Sequence, residues 1–529
     1  MRPPGTGLYH GTWWDQHKGD SYDELTAGRF TELFPSLPSA QFDEDDLWLL
    51  ADKMTSKQAR KPTPDPEEDK DITAAYTYLG QFIDHDLTFD PTSRLRESLD
   101  REQISRLADF RTPRFDLDNL YGRGPDDQPY MYHPDRIRML LGELLSGNRD
   151  DLHAVDVPRG PSGRALIGDP RNDENRIVSQ LHAIFLRFHN QVADYLARPD
   201  QLGTEVSFNE VRKRVRWHYQ WVIVNDFLPT VIEQPTFDRV FGDRHNPVPG
   251  LRQLRSGLRL MPVEFSVAAY RFGHSMVRPR YQLNTAIERP IFSKLRGDTA
   301  DLGGFRPIPS GWAIDWQFFI DLGSGATSGA KALLVGSTPR GPQHAYKIDT
   351  SLARPLGDLP DRITLPPPML AFRNLERGNT FGLPSGQDVA RALGVDPITD
   401  DKLMIGKATA NADQRPLVDI ASGFAGKAPL WTYILSEAQV MSWKNAESIP
   451  EDNRPIKLGP VGSRIIADVF AALLIGDRTS YLYKDPPFEP IPEFAPNGTF
   501  GLVELINVAL GRVPSPAASA RTVLLKRSK

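Results

Sequence analysis

Apolar side chains recur at helical spacing in three stretches of this 529-residue chain: 174–197 (ENRIVSQLHAIFLRFHNQVADYLA), about 208–228, and 463–475 (SRIIADVFAALLI). Each is read as a helix with a buried face. Alternation of apolar and polar positions, which marks a strand, is scarce. Between about 290 and 370, Gly and Pro break the chain into short segments, which predicts irregular structure and short helices rather than a sheet. Residues 61–70, KPTPDPEEDK, read as a polar loop behind an N-terminal arm. A Pro-rich stretch opening at 484 with KDPPFEPIPEFAPNG reads as a wrapping loop before one more apolar segment at 500–510. No internal repeat or low-complexity tract interrupts this pattern. The expected fold is mainly α, a single large helical domain with little β structure over 71–483, preceded by an arm and loop at 1–70 and followed by a Pro-rich extension and tail at 484–529.

Composition narrows this picture only modestly. The length prior suggests two to four domains, but single large helical enzymes reach this size. With 63 Lys plus Arg against 68 Asp plus Glu and a pI near 6.2, the chain lacks the basic excess of nucleic-acid binders, so nucleic acid is not an expected partner. Zero cysteines exclude disulfides, iron–sulfur clusters, thiolate-held cofactors and Cys nucleophiles. They also remove the residue that strong oxidants damage first. The opening MRPPGTGLYHGTWWDQHKG has no apolar stretch of the secretory kind, and no apolar run approaches ~18 residues. A cytoplasmic protein without a spanning helix is expected, with export by a route that leaves no N-terminal signal left open. The arm, with Trp13 and Trp14, and the basic end LLKRSK are free to pack on the same chain or to reach a partner, and oligomeric state is not legible.

The segment richest in chemistry is GQFIDHDLTFD at 80–90. In a helix, the four-residue spacing of Gln81 and His85 puts amide and imidazole on one face, amid apolar Phe82, Ile83 and Leu87. Asp84 and Asp86 flank the histidine. Three further segments stand out: GDPRNDENR at 168–176, AYRFGHSMVRP at 269–279 and FRNLERGNTFGLPSG at 372–386. In this order the four segments resemble those of the animal-type haem peroxidases, the peroxidase and cyclooxygenase superfamily, and LGPVGSRIIADVFAALL continues the likeness to about 475.

The resemblance implies a haem enzyme. His274 becomes the iron ligand on the proximal side, and Asn374 accepts the other imidazole N–H through its side-chain oxygen. Arg271 pairs with a haem propionate. On the distal side His85 acts as base and then acid toward hydrogen peroxide, Arg171 stabilises developing charge, and Gln81 orients peroxide, water or a small anion. The reductants implied are small anions or phenols. His189, in LRFHN, matches a family position but is given a packing role, and His182 is read as structural.

The resemblance also implies a calcium site built from Asp86, Thr112, the Arg114 carbonyl, Asp116 and Asp118. Asp118 stands where the mammalian pattern has serine, which gives three carboxylates. Asp84 and Glu174 occupy the positions that form ester links to haem in mammalian members, while Asn175 replaces the methionine of one subfamily, so its sulfonium link cannot form.

Plainer readings stand beside these. A histidine between carboxylates is often a surface ion pair; Arg171 reads as a solvated charge or cap, Asp-x-Asp as an acidic turn, and Asp84 and Glu174 as ordinary carboxylates. Two other functions remain open: a fatty-acid dioxygenase of the same superfamily, or a catalytically silent, calcium-stabilised interaction protein. The dioxygenases place a tyrosine three residues before the proximal histidine, where this chain has Arg271. Tyr270 is one residue off, a rotation of ~100° on a helix.

Overall fold

In a computed structural model of the chain, the described residues are 28–512, apart from internal stretches at 58–64, 91–92, 258–259, 294–299, 324–332, 336–337, 362, 410–413, 446–447, 449 and 451–452. Trp13, Trp14 and the basic end LLKRSK lie outside them. Eight helices carry the architecture: α1 (Glu44–Met54), α2 (Ala74–Leu87), α3 (Arg176–Leu196), α4 (Phe208–Val222), α5 (Leu370–Thr380), α6 (Leu430–Asn445), α7 (Pro460–Gly476) and α8 (Leu502–Ala509). The three periodic stretches become α3, α4 and α7. Beyond Val222, α4 runs through a π turn, Ile223–Phe227, into a short helix, Leu228–Val231.

The centre of the molecule is α3, whose side chains are buried nearly all round, as expected of a helix enclosed by others. It packs on α2, α4 and α8. Phe82 of α2 stacks on Phe185 of α3, ring centroids 4.4 Å apart, and meets Tyr219 of α4 edge-on. Burying such a ring is worth about 1.5–3 kcal/mol, so this aromatic cluster fixes how α2 presents its other face. On the far side α5 packs on α1, with Phe372 stacked on Trp48 at 4.0 Å, and α6 lies against both α5 and α7.

Strands occur among the described residues only as two-stranded pairs. One corrects the expected loop at 61–70. Glu68–Thr73 is a strand, antiparallel to His344–Tyr346. Its polar sequence EDKDIT hid it, because its partner lies some 270 residues away and its buried Asp69 is satisfied by the N–H groups of Asp71, Ile72 and Ile456. This strand crosses the expected boundary at residues 70 and 71 and runs directly into α2. The Pro-rich extension is likewise part of the core as far as it is described: Phe494 and Phe500 pack against Phe188 of α3 and His218 of α4, with Phe488 on the same histidine. No helix among the described residues is long and apolar enough to cross a membrane.

Candidate functional site

A cavity of about 490 Å³ opens between α2, the turn leading into α3, the turn at 264–274 and α5. Gln81, Asp84, His85, Arg171, Glu174, Arg271, His274 and Asn374 all line it, so four segments spread over almost 300 residues converge on one space. Asp86, Thr112, Asp116 and Asp118 form a separate buried cluster behind α2.

On the α2 side, His85 is 5% exposed. Its Nδ1 lies 2.8 Å from Oδ1 of Asn172, whose Nδ2 lies 3.1 Å from Nδ1 of His182. An amide oxygen only accepts, so His85 donates from Nδ1 and keeps the lone pair on Nε2. Asn172 is held in this sense by giving its own N–H to His182. Burial, helped by the charge of Arg171, lowers the His85 pKa to about 3. The ring is therefore a neutral base through the neutral pH range.

Arg171 sits on a single 3-10 turn, Pro170–Asp173, which Asp169 caps by accepting the Arg171 N–H at 2.8 Å. The guanidinium donates to Asp169 Oδ2 at 2.7 Å and to the His85 carbonyl at 3.1 Å, and lies over the Phe89 ring at 4.4 Å. Burial alone would raise the Asp169 carboxyl, but Arg111 and Arg171 hold it well below the usual carboxylate range. Gly168 lets this turn approach: an added Cβ would stand 2.5 Å from the Asp118 carbonyl oxygen.

Gln81 is engaged at both ends. Its nitrogen donates to Glu174 and its oxygen accepts from Asn175 Nδ2 at 3.1 Å. The Asn175 oxygen in turn caps α3, accepting from Ile177 and Val178 at 3.1 and 2.9 Å. An asparagine at this position is thus a helix N-cap that also ties α3 to α2. Burial pushes Glu174 up to about 7 against the pull of Arg171, and raises Asp84 against Arg171 and Arg271.

The opposite wall is built differently. His274 ends a 3-10 turn, Ala269–His274, that follows a π turn, Glu264–Ala268. The latter is anchored by the buried Glu264 carboxylate, which accepts from Leu33 and Phe34 N–H at 2.8 and 3.0 Å. His274 Nδ1 lies 2.8 Å from Asn374 Nδ2, while Asn374 Oδ1 accepts from Arg271 Nη1 at 2.8 Å. This reverses the expected amide orientation: a guanidinium only donates, so Arg271 claims the oxygen and turns the nitrogen toward the imidazole. Arg373 and Arg377, one helical turn apart on α5, line the same wall. Burial first, and then the charge of Arg377, lowers Arg271 to about 10; burial and mutual repulsion lower Arg373 in the same way.

In the acidic cluster, carboxylate oxygens of Asp86, Asp116 and Asp118 come within 4.8 Å of one another. Leu117 stands in the left-handed region at φ 60°, which turns its two neighbours toward a common point. Thr112 Oγ1 donates to Asp116 at 2.8 Å, and Arg114 N–H closes the same turn on the Thr112 carbonyl at 2.7 Å. Neither carboxylate oxygen of Asp86 has a hydrogen-bond partner among the described residues. Burial, with Asp116 and Asp118 adding to it, pushes the Asp86 carboxyl well up.

Several functional candidates were invisible in the sequence: Asn172, Asp169, Arg111, Arg373 and Arg377; His182, read as structural, supports the distal wall through Asn172. The signal available was the density of polar residues in GDPRND and the arginine opening RTPRFDLD. His189 has the packing role expected of it, with Nδ1 on Tyr121 Oη at 3.0 Å and Nε2 on the Ile137 carbonyl at 2.8 Å.

Residues 102–300 match the family model for animal haem peroxidase. "Peroxidasin homolog pxn-2" of Caenorhabditis elegans is 26% identical over 323 residues, covering 60% of this chain and 21% of that protein. The chain spans about a fifth to a third of the length of the first curated relatives it matches. Among solved structures, peroxidase A from Dictyostelium discoideum aligns with a TM-score of 0.55 at 17% identity, over 86% of this chain and 88% of that one. A fatty acid alpha-dioxygenase of Oryza sativa aligns with a TM-score of 0.53 at 14% identity, over 96% and 92%. At these identities the two structures speak to the fold alone, which is mainly helical in the manner of both. The family model and the sequence relatives add what the fold leaves open: over residues 102–300 the chain is similar to the animal haem peroxidases.

Proposed function

We propose that this chain is a haem peroxidase that reduces hydrogen peroxide and oxidises small anions such as bromide, iodide or thiocyanate, or phenolic donors. The observation that carries the reading is one cavity lined by two histidines with different partners: His85 with Nε2 left as an acceptor, and His274 with Nδ1 occupied by Asn374. The residues fit haem. Three guanidiniums, Arg271, Arg373 and Arg377, depressed by burial in one wall, suit a ligand carrying two carboxylates. His274 Nε2 would bind the iron with the ring proton on Nδ1, which requires the Asn374 amide to turn its oxygen to the imidazole when haem is held.

Haem held there would supply the redox chemistry, taking two oxidising equivalents from peroxide and passing them to the donor. The chain supplies the proton path. His85 Nε2 would take a proton from one oxygen of peroxide and deliver it to the other as that oxygen departs, a role worth about 10²–10⁴ in rate. Arg171, fixed by Asp169 and the His85 carbonyl, steadies negative charge as the O–O bond lengthens. Gln81, held between Glu174 and Asn175, keeps the floor of the distal side in place. Asp84 and Glu174 face the cavity and would be the carboxyls that anchor haem through ester links, formed with hydrogen peroxide as the two-electron oxidant. Asp86, Thr112, the Arg114 carbonyl, Asp116 and Asp118 would hold calcium, a hard cation with ~6–8 oxygen ligands, whose charge answers the repulsion among the three carboxylates.

A fatty-acid dioxygenase is the second reading, favoured by the fold and by Tyr270, whose ring lines the cavity. Against it, Arg271 occupies the tyrosine position. An absorbance spectrum of the haem-supplied protein before and after one equivalent of hydrogen peroxide separates these readings. A rapid Soret shift that reverses on adding bromide or a phenol is the expected result. Bound haem that ignores peroxide, with oxygen uptake on a fatty acid, would establish the dioxygenase; failure to bind haem would leave a silent scaffold.

A further inference from the structure

Behind the distal wall, one arginine joins two features that sequence reading treats separately. Arg111 is fully buried, as are Asp118 and Asp169. Its Nη1 lies 3.3 Å from Asp118 in the acidic cluster, and its Nε donates to Asp169 Oδ2 at 3.0 Å, with Nη2 on the same oxygen. Asp169 then holds Arg171. The string runs from the three carboxylates through Arg111 and Asp169 to the guanidinium that faces the cavity.

The charges along it are ordered by their neighbours. Asp118 is the third carboxylate of the cluster, and Arg111 is the cation in contact with it. With every group ionised, Asp86, Asp109, Asp116, Asp118 and Asp169 against Arg111 and Arg171 leave three negative charges, which a divalent cation reduces to one. Without Arg111, Asp118 would add an uncompensated buried charge, and Asp169 would face Arg171 with no anchor behind it.

We propose that Arg111 is a positioning residue for Arg171, acting through Asp169, and that it balances Asp118 so that three carboxylates share one cation site. The proposal rests on the peroxidase reading for its kinetic part and is independent of it for its electrostatic part. Two variants test it: Arg111→Met, which removes the cation alone, and Arg111→Met with Asp118→Asn, which removes the pair and so preserves folding if the single change does not. Terbium luminescence titration of the haem-free chain should show binding about tenfold tighter in the single variant, from one extra net negative charge nearby, and weaker binding in the double than in the single, because the double also removes a carboxylate of the site. In the haem-supplied protein, the second-order reaction with hydrogen peroxide should slow by about tenfold to a hundredfold in the double variant, through misplacement of Arg171. The reaction with bromide or phenol, which does not use Arg171, should keep its rate. Arg111→Lys should recover part of the loss.

An unchanged peroxide step in the double variant, or peroxide and donor steps falling together, would overturn the positioning role. Terbium affinity that ignores Arg111 would overturn the charge balance. If the wild type itself does not react with peroxide, the peroxidase reading fails and the positioning role with it, while the terbium result still decides the balance.

Discussion

The two walls of the cavity hold their histidines in opposite ways. On the distal side His85 is locked by a buried relay: His85 to Asn172 to His182, with Arg171 tied to Asp169 and Arg111 beside it. On the proximal side His274 has one side-chain partner, Asn374, on a turn of 3-10 and π geometry, within a cluster of guanidiniums. The first arrangement fixes a tautomer and leaves one nitrogen to accept a proton. The second, in the proposed reading, would present Nε2 to a metal once the Asn374 amide turns its oxygen to Nδ1, among guanidiniums suited to an anionic ligand. Two imidazoles, each lowered to about 3 by desolvation and a nearby arginine, therefore suit two different tasks.

The strongest way to break this contrast is on the proximal side. His274→Ala should abolish the native haem spectrum, since no other described histidine lines the cavity except His85; a wild-type Soret band in the variant would move the ligand elsewhere. Next comes the distal relay. With the His85 pKa near 3, the peroxide step should stay level from pH 8 down to about 4, because only the neutral ring accepts a proton and it charges only below that range. Asn172→Asp would place a carboxylate at Nδ1, favour the imidazolium and raise that pKa. Its rate should therefore fall off at a higher pH as acidity increases. A stopped-flow pH series in which both proteins lose rate at the same pH would remove Asn172 from the account. The smallest effect concerns the join between the helices. Asn175→Ala removes the cap of α3 and its bond to Gln81, and should cost about 0.5–2 kcal/mol in denaturant unfolding. No loss would mean that α3 is held by packing alone.

The parts legible in sequence are those whose cause is local. The periodicity of α3, α4 and α7 survives in the structure because burial on one or all faces is written into consecutive residues, and Gln81 and His85 share a face because α2 forms around them. Partners set by long-range closure were not legible. Asn172 directly follows Arg171 in a polar turn, and nothing in that turn announces a hydrogen bond to a histidine 87 positions earlier. Arg111 looks like surface charge until the loop at 111–122 folds beneath α2. The strand at 68–73 is polar but for the buried Ile72 and needs His344–Tyr346 to exist. The orientation of Asn374 depends on Arg271, 103 residues away, and so the amide presents its nitrogen to the imidazole where local reasoning had the oxygen.

The contrast between the walls depends most on His85 being the proton acceptor, and one measurement addresses it directly: the second-order rate of the reaction with hydrogen peroxide in the haem-supplied wild type and in His85→Ala, followed at the Soret band. The variant should bind haem with its proximal ligation intact and react about 10²–10⁴ times more slowly. A variant that binds haem and reacts with peroxide as fast as the wild type would contradict the assignment of the distal wall.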